Sequence, residues 1–397
     1  MTLLQAMCIP PAVRGFNSTA PAGTVFDVSW VSSHVTTIES CAPGTEPQGL
    51  LLPALVDMHL HLDKTHTVHE TGAANGDLFR AIEMVAQHRE TWTEADLHRR
   101  MERGLQEAWR SGVRALRTHL DWMSSERPLS VNVLSDLRAQ WLDRLDIQWV
   151  SLTALDHFDD RTWAHGMASQ VKFMGGVLGC FIYRNDALKR KLQKVFELAV
   201  EFDLDLDFHV DEGLDVDANG LQAVAEFTLA HGWQGRVACG HACSLSVQTV
   251  EQARATLALL AQADITLTAL PTTNLYLQGS WSETPVPRGI TRLQEARQMG
   301  VRTCIANDNV ADPFFPYGSY DPLEAWALGV QMAHLAPAED WLDTVTVAPA
   351  QAMKLTWDGR IAPGCPADFV LLVARDGLQA MTPAGRHRRI CRQGHWL

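Results

Sequence analysis

Two histidines spaced two apart, at the end of an apolar run, give this chain its first sign of chemistry. Residues 51–56, Leu-Leu-Pro-Ala-Leu-Val, lead into His59-Leu60-His61. Side chains of a β-strand alternate between its faces, so His59 and His61 point one way while Met58 and Leu60 point the other. Two imidazoles side by side at a strand end can share one metal ion, and imidazole suits Zn, Fe, Cu or Ni. Alone, a His-x-His recurs by chance and carries little weight. Here, other apolar runs close in the same manner: Thr118-His119-Leu120-Asp121, Phe208-His209-Val210-Asp211-Glu212, Gly240-His241 and Ala306-Asn307-Asp308-Asn309. Each taken singly reads as a satisfied polar group or a helix cap. Brought to one axis, they would bury several charges without a partner, and a divalent cation supplies that partner.

The elements that must position these residues are legible as alternating strands and helices. Strand-like runs fall at 54–59, 113–119, 147–155, 176–182, 204–209, 236–241, 265–270 and 302–307. Helical patterns lie between them. The clearest begins at Thr93, where Thr93-Glu94-Ala95-Asp96 resembles a capping box, and Leu97, Met101, Leu105 and Trp109 then recur every fourth residue. Further helices are predicted over 187–202 and 221–231. This alternation predicts an α/β fold, a (β/α)8 TIM-type barrel with insertions, whose active site gathers at the C-terminal strand ends. The chain ends differ in character. Residues 1–50 are rich in Pro, Gly, Ser and Thr with short β-like pieces such as 24–28, and 360–397 holds strand-like runs at 367–372 and 389–392. The expectation is a small β-sandwich domain built from 1–50 and 360–397, beside a catalytic barrel domain over 51–359.

Composition narrows the function classes. Of 397 residues, 46% are apolar and 20% charged, an ordinary globular balance. A net charge of −13, with no block of like charges, argues against nucleic acid or an anionic membrane as partner. No apolar stretch is long enough to span a membrane, and the N-terminal residues lack a basic start followed by a long apolar run. The 8 cysteines are scattered, which fits reduced, buried thiols and a cytoplasmic location better than a disulfide framework. Cys239-Gly-His-Ala-Cys243 reads as core cysteines flanking a useful histidine rather than a thiolate metal site. His88-Arg89-Glu90 matches half of the H-x-E…P-C-x-x-C zinc deaminase signature, but no such cysteine pair follows.

At this point the motifs carry a resemblance. His59-Leu60-His61-Leu62-Asp63-Lys64-Thr65, Arg117-Thr118-His119-Leu120-Asp121, His209-Val210-Asp211-Glu212, Gly240-His241 and Ala306-Asn307-Asp308 resemble the amidohydrolase superfamily, and within it the cytosine deaminase-like branch. Residues 288–292 (Arg-Gly-Ile-Thr-Arg), 308–314 (Asp-Asn-Val-Ala-Asp-Pro-Phe) and the tail 363–372 (Pro-Gly-Cys-Pro-Ala-Asp-Phe-Val-Leu-Leu) extend the likeness. The resemblance implies that His59, His61, His209 and Asp308 bind one divalent metal per subunit, Zn or Fe, leaving room for a water whose pKa falls from about 15.7 toward about 7. It further implies that His241 orients or deprotonates this water, that Asp308 accepts the same proton, and that Glu212 protonates a ring nitrogen while hydroxide attacks the adjacent carbon. A two-metal site would need a carboxylated lysine at the end of the fourth strand. The run Gly-Val-Leu-Gly-Cys-Phe-Ile at 176–182 has none, and Lys172 precedes it at the wrong end.

The expected activity is therefore hydrolytic deamination of a small amino-substituted nitrogen heterocycle, with release of ammonia. Enzymes of this branch place a glutamine after the third strand to read a pyrimidine amide edge. Here that position is Ala154, which makes no such hydrogen bonds, so the reaction is implied but cytosine as substrate is not. Asp156, at the same end, is a candidate acceptor for a ring N–H. Phe314 and Phe315 are candidates for an apolar wall over a flat ring, and Asp63 and Lys64 for orienting ligands or touching substrate. Two other hydrolytic readings use the same site: release of an alkylamine from a triazine-type ring, and opening of a cyclic amide. A non-catalytic barrel scaffold should have lost metal ligands, and all of the implied ones are present. The resembled family often assembles into oligomers, and the negative surface does not forbid a homo-oligomer, but the subunit count is not legible in the sequence.

Overall fold

The computed structural model describes residues 2–17 and 19–397. The chain enters through four strands, β1 (Thr2–Cys8), β2 (Val25–Val31), β3 (His34–Ser40) and β4 (Gly49–Pro53). It then builds β5 (Leu55–Leu60), β6 (Val113–Asp121), β7 (Asp146–Ala154), β8 (Val177–Ile182), β9 (Leu206–Val210), β10 (Val237–His241), β11 (Thr266–Ala269) and β12 (Arg302–Ile305). It ends in β13 (Phe369–Leu372), β14 (Arg388–Arg392) and β15 (His395–Trp396).

Strands β5 to β12 pair in parallel and in chain order as one 8-stranded sheet. That sheet closes on itself just past β12, where the Asp308 N–H donates to the His59 carbonyl at 2.9 Å. The architecture is thus the (β/α)8 barrel expected from the alternation of elements. β11 and β12 stop sooner than their apolar runs suggest. Pro271 opens a helix directly after β11, and beyond β12 the Asn307 side chain turns back to Asp57 at 2.6 Å while Asp308 takes a left-handed φ of 70°.

The helix Glu94–Ser111 starts where the sequence places it: the Thr93 hydroxyl accepts from the Asp96 N–H at 3.2 Å. Only half of the capping box forms, because the Asp96 carboxylate is taken by Arg99 and Arg100. Leu97, Met101 and Leu105 are fully buried, so the stripe faces the barrel wall. The predicted helices at 187–202 and 221–231 appear as Leu188–Phe202 and Gly220–Ala230. Between β5 and the helix Glu94–Ser111 the chain inserts a further helix, Leu78–Arg89, which borders the central cavity.

The two chain ends meet in a separate 7-stranded sheet of order β15-β14-β13-β4-β1-β2-β3. β4 is its hinge: it pairs with β1 in parallel and with β13 in antiparallel, joining the first and last thirds of the chain. Trp30 packs edge-on to Phe369 at 5.6 Å across this sheet. Arg392 donates to the backbone carbonyls of Trp109 and Val113, tying the sheet to the helix Glu94–Ser111 and to the start of β6.

Candidate active site

Four donors from three parts of the barrel converge at its C-terminal mouth. β5 presents His59 and His61, β9 presents His209, and Asp308 follows β12. The Nε2 atoms of His59 and His61 stand 3.2 and 3.3 Å from His209 Nε2, and His61 Nε2 stands 3.1 Å from Asp308 Oδ1. His59 Nε2 reaches the same oxygen at 3.6 Å. All four residues are buried, and neither Asp308 oxygen has a hydrogen-bond partner. Burial, reinforced by the crowding of imidazoles, holds His59 and His209 well below the ordinary histidine range, so they are neutral. Burial works to raise Asp308, but the adjoining imidazoles of His61 and His241 hold it below its usual value. Neutral imidazoles and an ionised carboxylate, their donor atoms crowded at separations of 3.1–3.6 Å, are the states a divalent cation requires. The site fits one.

Backbone geometry aims these side chains. Asp211, His241 and Asp308 leave their strands with φ of 50°, 70° and 70°, a left-handed region that non-glycine residues enter at a cost and that clusters at functional sites. Asp57 lies beneath the cluster. It accepts from the backbone and side-chain N–H groups of Asn307, and burial lifts its carboxyl to about 7. His119 stacks on His59 at a ring distance of 4.0 Å, with both of its nitrogens buried and unpartnered.

Glu212 and His241 form a second group beside the donors. His241 Nδ1 is 3.2 Å from Glu212 Oε1, and both lie with Asp308 in a cluster of potential ligand atoms. Burial, with the negative charge of Asp308 behind it, pushes the Glu212 carboxyl well above the ordinary range and so favours its protonated form. Burial lowers His241 to about 4. Asn274, in the short helix Pro271–Leu277 after β11, touches both: its amide nitrogen is 3.3 Å from Glu212 Oε1 and 3.1 Å from His241 Nδ1. Sequence reasoning missed Asn274, because an asparagine in Pro-Thr-Thr-Asn reads as helix-start chemistry. Its position just beyond the seventh strand was the available signal.

A cavity of about 550 Å³ opens over these groups. Its walls are mainly apolar, with Phe79 and Val85 from the helix Leu78–Arg89, Phe181 from β8, and Phe314 from the loop after β12. That volume lies within the range of small-molecule sites and leaves room beyond a single six-membered ring. Lys64 and Asp121 meet on one side at 2.7 Å, with Arg89 also on Asp121. Burial opposes the Lys64 charge, yet Asp121 and Asp63 hold its pKa above normal. Lys64 Nζ also lies 3.4 Å from His61 Nδ1 and 5.6 Å from the centre of the Phe314 ring.

The candidate substrate contacts divide. Lys64, Asp156 and Phe314 line the cavity, as does Ala154 at the end of β7. Asp156 does so as the partner of Lys191 rather than as a free acceptor. Asp63 is buried behind the cavity, where it accepts from the Asp121 N–H at 2.8 Å and so sets the β5–β6 strand ends in register. Phe315 is not among the lining residues: it packs edge-on to Tyr276 and Tyr317 on the rim. Arg89, set aside in the sequence as part of a chance motif, stands in the lining. All cysteines are free, and Lys172 pairs with Asp203 at the surface, away from the donors.

Residues 70–393 match the model of the amidohydrolase family. The chain belongs to this family. A pterin deaminase of Rhizobium rhizogenes (strain K84 / ATCC BAA-868) is 37% identical over 349 residues, covering 87% of this chain and 80% of the relative. An N-isopropylammelide isopropyl amidohydrolase of Pseudomonas sp. (strain ADP) is 24% identical over 370 residues, covering 88% and 87%. Among solved structures, 5-methylcytosine deaminase from Klebsiella pneumoniae bound to 5-fluorocytosine superposes with a TM-score of 0.85 at 23% identity, covering 100% of this amidohydrolase and 97% of that chain. These likenesses agree with the cytosine deaminase-like branch whose motifs the sequence resembles. This amidohydrolase is a hydrolase acting on carbon–nitrogen bonds.

Proposed function

We propose that this amidohydrolase is a hydrolytic deaminase of an amino-substituted nitrogen heterocycle, and that a fused bicyclic ring of the aminopteridine type is its substrate. The observation that carries this reading is the convergence of His59, His61, His209 and Asp308 beside the buried Glu212 at the floor of the cavity. The ring class rests on the 37% likeness to a pterin deaminase, on a cavity larger than one ring needs, and on Ala154, which offers no side-chain hydrogen bond to a pyrimidine edge.

His59, His61, His209 and Asp308 would hold one divalent cation per subunit, Zn or Fe. When bound, such a cation lowers the pKa of a coordinated water toward about 7 and so supplies a nucleophile at neutral pH. The protein's own groups do the rest. Asp308 carries unpartnered lone pairs and takes the proton that the attacking water gives up. His241 Nε2, buried and without a partner, binds the attacking oxygen. Glu212 passes its proton to the ring nitrogen next to the carbon under attack, which makes the amidine-like C=N electrophilic. A C–O bond forms, the C–N bond to the amino group breaks, and ammonia leaves with a proton from the same relay. Lys64 and Phe314 bound the ring from the side, and Asp156 stands at the outer wall; Asp63 and Phe315 act only through the neighbours they pack against. Residues 51–359 form the catalytic domain and 1–50 with 360–397 the supporting β-domain. We place the enzyme in the cytoplasm, as a homo-oligomer.

An alkylamine-releasing hydrolysis uses the same groups, and the likeness to an isopropyl amidohydrolase keeps it as the second reading. The deciding experiment combines metal analysis with ammonia release over aminopteridines, aminopyrimidines, aminopurines and aminotriazines. One equivalent of Zn or Fe with ammonia from aminopteridines supports the proposal. Metal with alkylamine release, and no ammonia from any ring, replaces it with the second reading. Reconstituted protein that retains no metal refutes both.

A further inference from the structure

One amide touches both proton-handling groups of the site. Asn274 Nδ2, Glu212 Oε1 and His241 Nδ1 form a triangle with sides of 3.3, 3.1 and 3.2 Å. All three side chains are buried, with Asn274 at 2% exposure, so no bulk water competes for these contacts. The amide nitrogen carries only hydrogens. It can serve Glu212 Oε1 with one and His241 Nδ1 with the other, provided that Nδ1 offers a lone pair. An Nδ1 bearing its own hydrogen would have to hold it against the amide hydrogens. The helix that carries Asn274 also grips Glu212 from behind: Gln278, one turn later, directs its amide to the Glu212 carbonyl at 3.5 Å.

We infer that Asn274 is a positioning residue that fixes His241 with its hydrogen on Nε2 and aims the Glu212 carboxyl. The imidazole then presents an N–H, not a lone pair, to an oxygen in the cavity. Asp308, whose two oxygens have no partner, is left as the acceptor of the first proton. His241 and Asp308 thereby take different roles, donor and base, although either could serve as base by residue type alone. The inference rests on the deaminase reading for its kinetic consequences but not for the tautomer itself.

The test uses the metal-loaded full-length protein and two readouts. The first is ¹⁵N NMR of ring-labelled histidine, with the His241 signals assigned by their loss in His241→Asn. The expected result is a pyridine-like Nδ1 and a protonated Nε2 in the parent protein, with the pattern lost or mixed in Asn274→Leu. The second is steady-state kinetics of Asn274→Leu and Asn274→Ala. Removing a group that orients a catalytic side chain costs about 10–100-fold. That loss should fall on kcat, with KM within about threefold and metal content unchanged. A protonated Nδ1 in the parent protein overturns the inference, and so does either variant keeping kcat within about threefold. Should both variants fail to fold, the parent spectrum alone decides. Absence of any turnover by the parent would instead count against the deaminase reading, and would leave the NMR result standing.

Discussion

At the scale of single residues the site depends on carboxyl groups whose surroundings pull them apart. The histidines around Asp308 favour its ionised form, while burial pushes Glu212, a few ångströms away, toward its protonated form. This division of roles predicts that Glu212→Gln, which preserves shape and both Asn274 and His241 as neighbours, keeps its metal and loses turnover by about 10²–10⁴-fold, the usual worth of a positioned acid. Metal analysis and ammonia release on the same sample check it, and a variant with near-parental kcat removes Glu212 from the mechanism. Much of this scale was legible. His59, His61, His209, His241 and Asp308 stand out because each closes an apolar run, and such ends brought to one axis bury more charge than capping accounts for. Asn274 and Arg89 were not legible, because each lies within a helix, where those residue types have many ordinary uses. Phe314 and Phe315 differ by one position in a loop, and no periodicity tells which of two adjacent loop residues turns inward.

At the scale of elements, Asp211 links the site to a helix. Its carboxylate accepts from the N–H groups of Gly220 at 3.1 Å and Leu221 at 2.8 Å, capping Gly220–Ala230 from across a loop. Burial nevertheless lifts its pKa to about 6, since two N–H groups do not fully repay the lost water. The sign follows from linkage. With the folded value above the unfolded one near 3.9, the stability this group contributes is complete below about pH 4 and is lost as pH rises through about 6. Parent protein should therefore lose on the order of 2 kcal/mol more stability between pH 4.5 and pH 7 than Asp211→Asn, which cannot ionise. Urea denaturation at both values measures this, and equal losses in the two proteins refute it. A second prediction concerns two insertions that meet at Gly76 and Trp281. Gly76, with φ 79°, lies under the indole of Trp281, so that a Cβ added there would stand 1.3 Å from Nε1. Gly76→Ala should destabilise by more than 1 kcal/mol, and Trp281→Ala in the same chain should return part of that loss; thermal melts of the four proteins complete the cycle. The eight barrel strands could be read from the sequence because each alternates with a helix. This contact could not: Gly76 and Trp281 belong to separate insertions with no shared pattern.

At the scale of the whole molecule, the barrel is fastened where its chemistry sits. The first and last strands meet through the Asp308 N–H and the His59 carbonyl, and through Asn307 on Asp57. A cation held by residues on both sides of that seam would brace it. Stripping metal with a chelator should abolish activity and lower stability by about 3–4 kcal/mol relative to protein in metal at 100–1,000 times its Kd, with both restored on adding Zn or Fe. A chelated protein that melts at the holoenzyme temperature contradicts this. The pairing of the chain ends was readable only as two β-rich segments. That they share one sheet through β4 depends on contacts between residues some 300 positions apart, which no local pattern encodes. The seam also has a consequence for how each new copy is made. Asp57 and Asn307 lie 250 positions apart. At ribosomal speeds of about 5–20 residues per second, roughly 12–50 s pass between the synthesis of the first donors and the last. For that interval His59 and His61 belong to an unfinished chain, and the full set of donors exists only once the barrel has shut. A cation bound by this donor set would thus be chosen by the finished protein and the free metal around it, and not by the nascent histidines.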